Sequence, residues 1–198
     1  MLARYQYVDG DGNFHVTEEK KQSRQLHYAT MMFTRGSMVK TAGGMLARAA
    51  TIATRYSCIR QQGYRRPNRV VSYKDPEVPI IDHYIQRYRV CKYIALTYAL
   101  KCAGSWLIEQ FQQLENSELG VVGGIADTSA LTTVAATTAG LKGLTTLLTC
   151  NGIEDLRKSC GGNGYLLASG IGALSVDYVW QTTAEGDFII LLLQTARF

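Results

Sequence analysis

PIIDHYIQRYRVCKYIALTYALKC, residues 79–102, decides the fold. Within it Ile81, Tyr84, Tyr88, Cys91, Ala95, Tyr98 and Cys102 recur at alternating spacings of three and four, the period of one face of an α-helix. The row predicts a helix running to about Leu114, with a seam meant for another helix. Upstream, from about Thr30, Met38, Met45, Ala49, Ile52, Tyr56 and Ile59 keep the same period, which fades at Gly63. Gly63, Pro67, Pro76 and Pro79 then mark a loop over 63–79, and no proline follows Pro79. Downstream, Asp127 or Thr128 offers an N-cap, and Leu131, Val134, Thr138, Leu141, Thr145 and Leu148 repeat the alternation as far as a stop at Gly161-Gly162. A Gly-rich turn over 161–172, a short segment around Val176–Gln181 and a terminal helix over Phe188–Phe198 complete the chain.

Four main helices with short to medium connections make a mainly α protein, an up-down four-helix bundle. The many Ala, Thr and Gly on the seams imply close approach of the helices. Before the bundle, Tyr5, Tyr7, Phe14 and Val16 flank Asp9-Gly10-Asp11-Gly12 and predict a short β-hairpin. Two strands alone are marginally stable in water. The hairpin therefore reads as the tail of a larger sheet, and the chain as a fragment. Residues 17–29 read as a polar transition.

Composition narrows the function. With 198 residues, 46% apolar and 19% charged, the chain has room for a sizeable core and is not disordered. Twenty-one Lys/Arg against 16 Asp/Glu give +5, which suits phosphate-bearing small molecules and falls short of the dense basic face of a nucleic-acid binder. Five widely spaced cysteines without a C-x-x-C predict reduced thiols in an intracellular compartment, and with only three scattered histidines no metal site is expected. The N-terminus lacks a charged-then-apolar leader. Glycines interrupt the longest uncharged stretch, 159–176, so no membrane span and a soluble protein are expected.

Three stretches carry chemistry. Arg60 and Gln62 stand at a helix C-terminus, where they could hold a phosphate or simply complement the helix dipole. Arg65, Arg66 and Arg69 beyond them read as a solvated loop face or a contact for an acidic ligand. Next, Ser159-Cys160-Gly161-Gly162-Asn163-Gly164-Tyr165 could cradle an anion on exposed N–H groups or merely stop a helix. It does not open a helix after a strand, so a Rossmann reading fails. Last, Thr182-x-x-Glu185 ahead of an apolar run fits a capping box. The alternative is a carboxylate in an apolar pocket, its pKa raised towards that of a useful general base.

Together TIATRYSCIRQQ (51–62), PIIDHYIQRYRVCKYIALTYAL (79–100), TTAGLKGLTTLLTCNGIEDLRKSCGGNGYLLASG (137–170) and AEGDFIILLLQTARF (184–198) resemble the acyl-CoA oxidase family of the acyl-CoA dehydrogenase superfamily, in family order and over nearly the whole chain. NGIEDLRKSCGGNGY is the most specific match. The resemblance implies that residues 1–29 are the tail of the middle β-domain and residues 30–198 the first C-terminal helical bundle domain. It implies an FAD-dependent enzyme that oxidises acyl-CoA to trans-2-enoyl-CoA and passes electrons to oxygen, giving hydrogen peroxide in fatty acid β-oxidation. The complete protein is then expected to be a peroxisomal homodimer, and the isolated fragment inactive. Glu185 matches the family's catalytic base, which abstracts the α-proton while a hydride leaves the β-carbon for the flavin. Its backbone N–H and a flavin ribityl hydroxyl bond the thioester carbonyl. Gly186 matches the glycine that lets the chain turn beside the substrate. Arg60 and Gln62 match positions that contact FAD across a subunit interface, and Gly161 and Gly162 match a Gly-Gly near its adenosine end. Ala184 departs from the family, which often has an aromatic residue there. Two other readings stay open: an acyl-CoA dehydrogenase, or a truncated non-catalytic helical dimerisation module.

Overall fold

The computed structural model describes residues 6–16, 18–64, 72, 75–118 and 128–198. Tyr5, the loop residues Arg65, Arg66, Pro67 and Arg69 and the cap position Asp127 lie outside them. The expected hairpin is present: β1 (Gln6–Val8) pairs antiparallel with β2 (Phe14–Val16), Tyr7 opposite His15. Asp9 fixes its turn by accepting from the Asn13 N–H at 2.8 Å. Three long helices follow, α1 (Glu18–Ile59), α2 (Tyr84–Glu118) and α3 (Thr128–Ser159), then two short ones, α4 (Ile171–Val179) and α5 (Phe188–Ala196).

Glycines set the helix spacing. A Cβ on Gly104 of α2 would lie 2.7 Å from the Lys40 Cα, and one on Gly43 of α1 would lie 2.9 Å from the Lys101 N. At Gly36 it would meet the Phe111 ring at 2.6 Å. The order 36 with 111, 40 with 104 and 43 with 101 makes α1 and α2 antiparallel. Gly152 of α3 faces both Leu46 and Tyr93, which sets α3 along α1 and against α2. Leu46, Ala53, Leu100, Leu156, Ile171 and Leu174 meet in the core.

The fourth member of the bundle is broken. Ser175 of α4 donates to Glu154, and Thr195 of α5 donates to the Ala136 carbonyl, while Phe188 and Leu191 close on Gly143. Both short helices therefore run antiparallel to α3, one after the other, with residues 180–187 as an interruption between them.

Several expectations are corrected. The tyrosine seam of α2 faces outward: Tyr84, Tyr88 and Tyr98 are 70%, 57% and 68% exposed. The buried row is Val90, Tyr93, Thr97, Leu100, Gly104 and Leu107, which keeps the same alternation two residues out of phase, about 200° round the helix. Helix α1 starts at Glu18, twelve residues before Thr30, and its Ile59 is exposed. The short segment is α4, beginning at Ile171 rather than Val176, and α5 ends at Ala196. Among the described residues no helix is long and apolar enough to cross a membrane, and no acidic, His or Cys cluster could hold a metal ion. The five cysteines are unpaired.

Candidate active site

The interruption of the fourth helix builds the more unusual of two sites. After α4 the chain makes a 3-10 turn over Trp180–Thr182, and Ala184 N–H donates to the Trp180 carbonyl at 3.0 Å. Glu185 then takes φ +58°, the one non-glycine among the described residues with positive φ, and Gly186 takes +117°. Left-handed backbone costs a β-carbon-bearing residue about 1–2 kcal/mol, so something must hold Glu185 there. Gly186 is required on two counts, since a Cβ on it would also lie 2.7 Å from Leu191 Cδ2.

The capping box is not formed. The Thr182 hydroxyl donates back to the Val179 carbonyl, and the N-cap of α5 is Asp187, whose carboxylate accepts from the Ile189 N–H at 2.9 Å. An acid immediately before the apolar run 188–193 was the readable cap signal. With the cap supplied elsewhere, the half-buried Glu185 carboxylate takes no hydrogen bond or ion pair from the described residues. Its N–H likewise finds no acceptor among them.

Two buried cations hold the turn. Arg35 of α1, 6% exposed, donates Nε to the Glu185 carbonyl at 2.9 Å. Lys142 of α3, 0% exposed, donates Nζ to the Gly186 carbonyl at 2.7 Å and reaches the Thr182 carbonyl at 3.4 Å. Burying a cation is costly unless its protons find acceptors, and here the backbone of the interruption supplies them. Burial draws the Lys142 ammonium below the usual lysine range; the Arg35 charge acts the same way, while Asp187 and Glu185 oppose it. Neither cation was picked out from the sequence. The available signal was isolation: Lys142 is the only charged residue from Thr128 to Ile153.

The second assembly is at the end of the bundle where α1 and α3 finish. Gln86 donates Nε2 to the Ser57 hydroxyl at 2.8 Å and to the Ser159 carbonyl at 3.0 Å, tying the ends of α1 and α3 to the start of α2. Asn163 donates to the Tyr56 hydroxyl at 2.8 Å, which brings the glycine turn beside the end of α1. Arg60 and Gln62 follow one turn later with exposed side chains; their backbones pair with Ile80 and Val78, and the Gln62 carbonyl meets His83 Nε2 at 2.8 Å. Gly161 adopts φ +58°, and a Cβ on Gly161 or Gly162 would meet nothing within 4 Å. An exposed guanidinium and amide are donors that fit a pyrophosphate, and the open glycine backbone at the same end of the bundle lets a ligand come close.

The structure does not bring the two assemblies together in one chain. From Arg35 to Ile59 along α1 is about 36 Å, and from Lys142 to Ser159 along α3 about 25 Å, at roughly 1.5 Å per residue. Glu185 and Gly186 thus stand midway along the bundle, Arg60, Gln62, Gly161 and Gly162 at the end where α1 and α3 finish.

This is an all-α bundle domain with an interrupted fourth helix, the interruption carrying a left-handed acid. Residues 28–198 match the acyl-CoA oxidase C-alpha1 domain family, and the chain belongs to it. It is 36% identical to the peroxisomal acyl-coenzyme A oxidase 1 of Cavia porcellus over 198 residues, all of this chain and 28% of that protein. The solved acyl-CoA oxidase 1 of Arabidopsis thaliana superposes with a TM-score of 0.81 at 37% identity, covering 100% of this chain and 28% of that one. Acyl-CoA oxidase-1 of Caenorhabditis elegans, solved with FAD and ATP, gives 0.76 at 30% identity over 99% of this chain and 26% of its own. The chain therefore spans a little over a quarter of the relatives it matches.

Proposed function

We propose that this chain is the C-alpha1 part of a flavin-dependent acyl-CoA oxidase that converts acyl-CoA to trans-2-enoyl-CoA, and that Glu185 is its catalytic base. One observation carries the reading. The conformation of Glu185 is held entirely through backbone carbonyls, which leaves its carboxylate and its N–H unengaged by the described residues. A base needs a free carboxylate, and a developing enolate oxygen needs a fixed donor; one residue offers both. Gly186 admits the substrate beside it. The α-proton of a thioester is weakly acidic, so removal and charge stabilisation must act together. Arg60 and Gln62 would hold the FAD pyrophosphate, with Gly161 and Gly162 against the adenosine end. FAD, when bound, supplies the acceptor for the β-hydride and delivers the electrons to oxygen as hydrogen peroxide.

The distance between the two assemblies supports a homodimer, in which the Arg60 assembly of one copy serves the Glu185 assembly of the other. The exposed row Tyr84, Ile85, Tyr88 and Tyr98 on α2 is an apolar face of the kind that subunits cover. Peroxisomal location is proposed from the names of the relatives. Alone, the chain supplies one wall of each site, and no activity is expected from it.

In a complete oxidase carrying this chain, Glu185→Gln is expected to lower peroxide formation from acyl-CoA by a factor of about 1,000 or more while FAD stays bound. Full activity in that variant refutes the assignment. Turnover that reaches an electron-transfer protein but gives no peroxide in air reassigns the reaction to a dehydrogenase.

A further inference from the structure

We propose that Arg35 and Lys142 are positioning residues for Glu185, a two-cation clamp that fixes the left-handed turn and so aims both the carboxylate and the N–H of that residue. The inference rests on the reading of Glu185 as the base. Its foundation is where the cations bind. Among the described residues each buried charge donates to main-chain oxygens of the interruption and to no carboxylate: Arg35 through Nε to the Glu185 carbonyl, Lys142 through Nζ to those of Gly186 and Thr182. Thr182 precedes Glu185 and Gly186 follows it. Lys142 therefore ties both shoulders of the turn to α3, while Arg35 ties its apex to α1.

A clamp is needed because local restraint across Glu185 is slight: one bond, from the Gly186 N–H to the Thr183 carbonyl at 3.2 Å, closes the turn. The left-handed region is disfavoured for glutamate, and that single bond leaves the direction of its carboxylate and N–H relative to the bundle unset. Side-chain capping of Glu185 would fix the turn but would consume the carboxylate; holding carbonyls instead leaves it free. Arg35 and Lys142 also come from different long helices, so the turn inherits the rigidity of the bundle. A residue that only stabilised the fold would have no reason to converge with a second buried cation on three carbonyls within five residues of chain.

The test uses the complete, FAD-loaded oxidase with Arg35→Met, Lys142→Met and, as reference, Glu185→Gln. The probe is a 3-thia-acyl-CoA carrying carbon-13 at the thioester carbonyl; sulfur in place of the β-carbon prevents oxidation. Its carbonyl stretch, read by infrared difference spectroscopy, reports the hydrogen bond from the Glu185 N–H without turnover. The clamp requires each Met variant to lose about 100-fold in kcat, the cost of misplacing a reacting group by about 1 Å. It also requires them to lose much of the carbonyl shift while probe affinity changes by less than about threefold. Glu185→Gln must behave differently, losing kcat but keeping the shift. If Glu185→Gln is inactive while both Met variants keep the parent's kcat and shift, the clamp is wrong and the base stands. If Glu185→Gln is active, the base itself is wrong. Should a Met variant fail to fold, Arg35→Lys and Lys142→Arg take its place: each keeps the charge and displaces the donor, so an unchanged carbonyl shift in them overturns the proposal.

Discussion

The middle of the bundle and its glycine-turn end treat positive charge in opposite ways. Around the interruption Arg35 and Lys142 are buried and spend their hydrogen bonds on main chain. At the glycine turn Arg60 is exposed, Gln86 and Asn163 tie the helices together, and the nearby cations Arg89 and Arg157 are only partly buried and pair with carboxylates, Asp155 and Glu154. The difference follows from what each region is proposed to hold. A reacting carboxylate must be aimed within a fraction of an ångström, which favours buried, rigid anchors. A pyrophosphate brings its own charge and asks for accessible donors.

The contrast is sharpest for the glycines. A Cβ on Gly164 would overlap the Arg157 carbonyl oxygen, a main-chain group that cannot move aside, whereas Gly161 and Gly162 face open space. Gly164→Ala is therefore expected to cost about 3 kcal/mol, the upper range for overpacking. Gly162→Ala should change stability by less than about 0.5 kcal/mol. Urea unfolding midpoints check both. If Gly164→Ala proves harmless, the turn is not packed on α3 and the cofactor end loses its rigid floor.

A smaller effect tests the buried charge. Lys142→Met leaves two carbonyls without their donor, and about 2 kcal/mol of destabilisation is expected at neutral pH. The pH dependence gives the sign. Burial holds the folded-state pKa of Lys142 below the unfolded value near 10.5, so above the folded pKa the unfolded chain binds the extra proton. Stability then rises with pH through that window and levels at about 10.5. The Met variant lacks this rise, so the gap between the two proteins widens as pH increases. Between pH 10 and 12 both should lose stability, because burial pushes the Tyr178 phenol up to about 12 and Tyr93 likewise. A gap that stays constant between pH 7 and 10 means that Lys142 is not desolvated as described.

Much of the fold could be read from the chain, but the facing of its helices could not. The period of α2 is plain, yet it carries two rows of the same spacing. The row of large apolar residues, Tyr84, Tyr88 and Tyr98, drew the reading, while the row that packs inside the chain contains Thr97 and Gly104. Small residues build the internal seam because the axes come close at Gly43 and Gly104. The large residues stay exposed, on the face proposed above to meet a second copy. Glu185 was reachable only through family resemblance, since its spacing fits an ordinary cap equally well. Its anchors lie 150 and 43 residues away in sequence, and no local pattern links them to it.

The smallest effect tests whether the two assemblies cooperate between copies. Arg60 is exposed and its side chain anchors nothing among the described residues, so Arg60→Ala should leave stability within about 0.5 kcal/mol. Losing a charge-assisted bond to a pyrophosphate is worth about 1.5 kcal/mol, or roughly tenfold in FAD affinity. At subsaturating FAD the variant is then weak, and Glu185→Gln is inactive at any FAD concentration. If each complete site takes Glu185 from one copy and Arg60 from the other, co-assembling the two variants yields dimers with one doubly damaged site and one intact site. The mixed dimer, isolated by two different tags, should recover towards half the activity of the parent. If both residues served a site within one copy, every site in the mixed dimer would carry one lesion, and mixing would restore nothing. Recovery on mixing, measured as peroxide formation at limiting FAD, separates the two arrangements without any change in the fold of either chain.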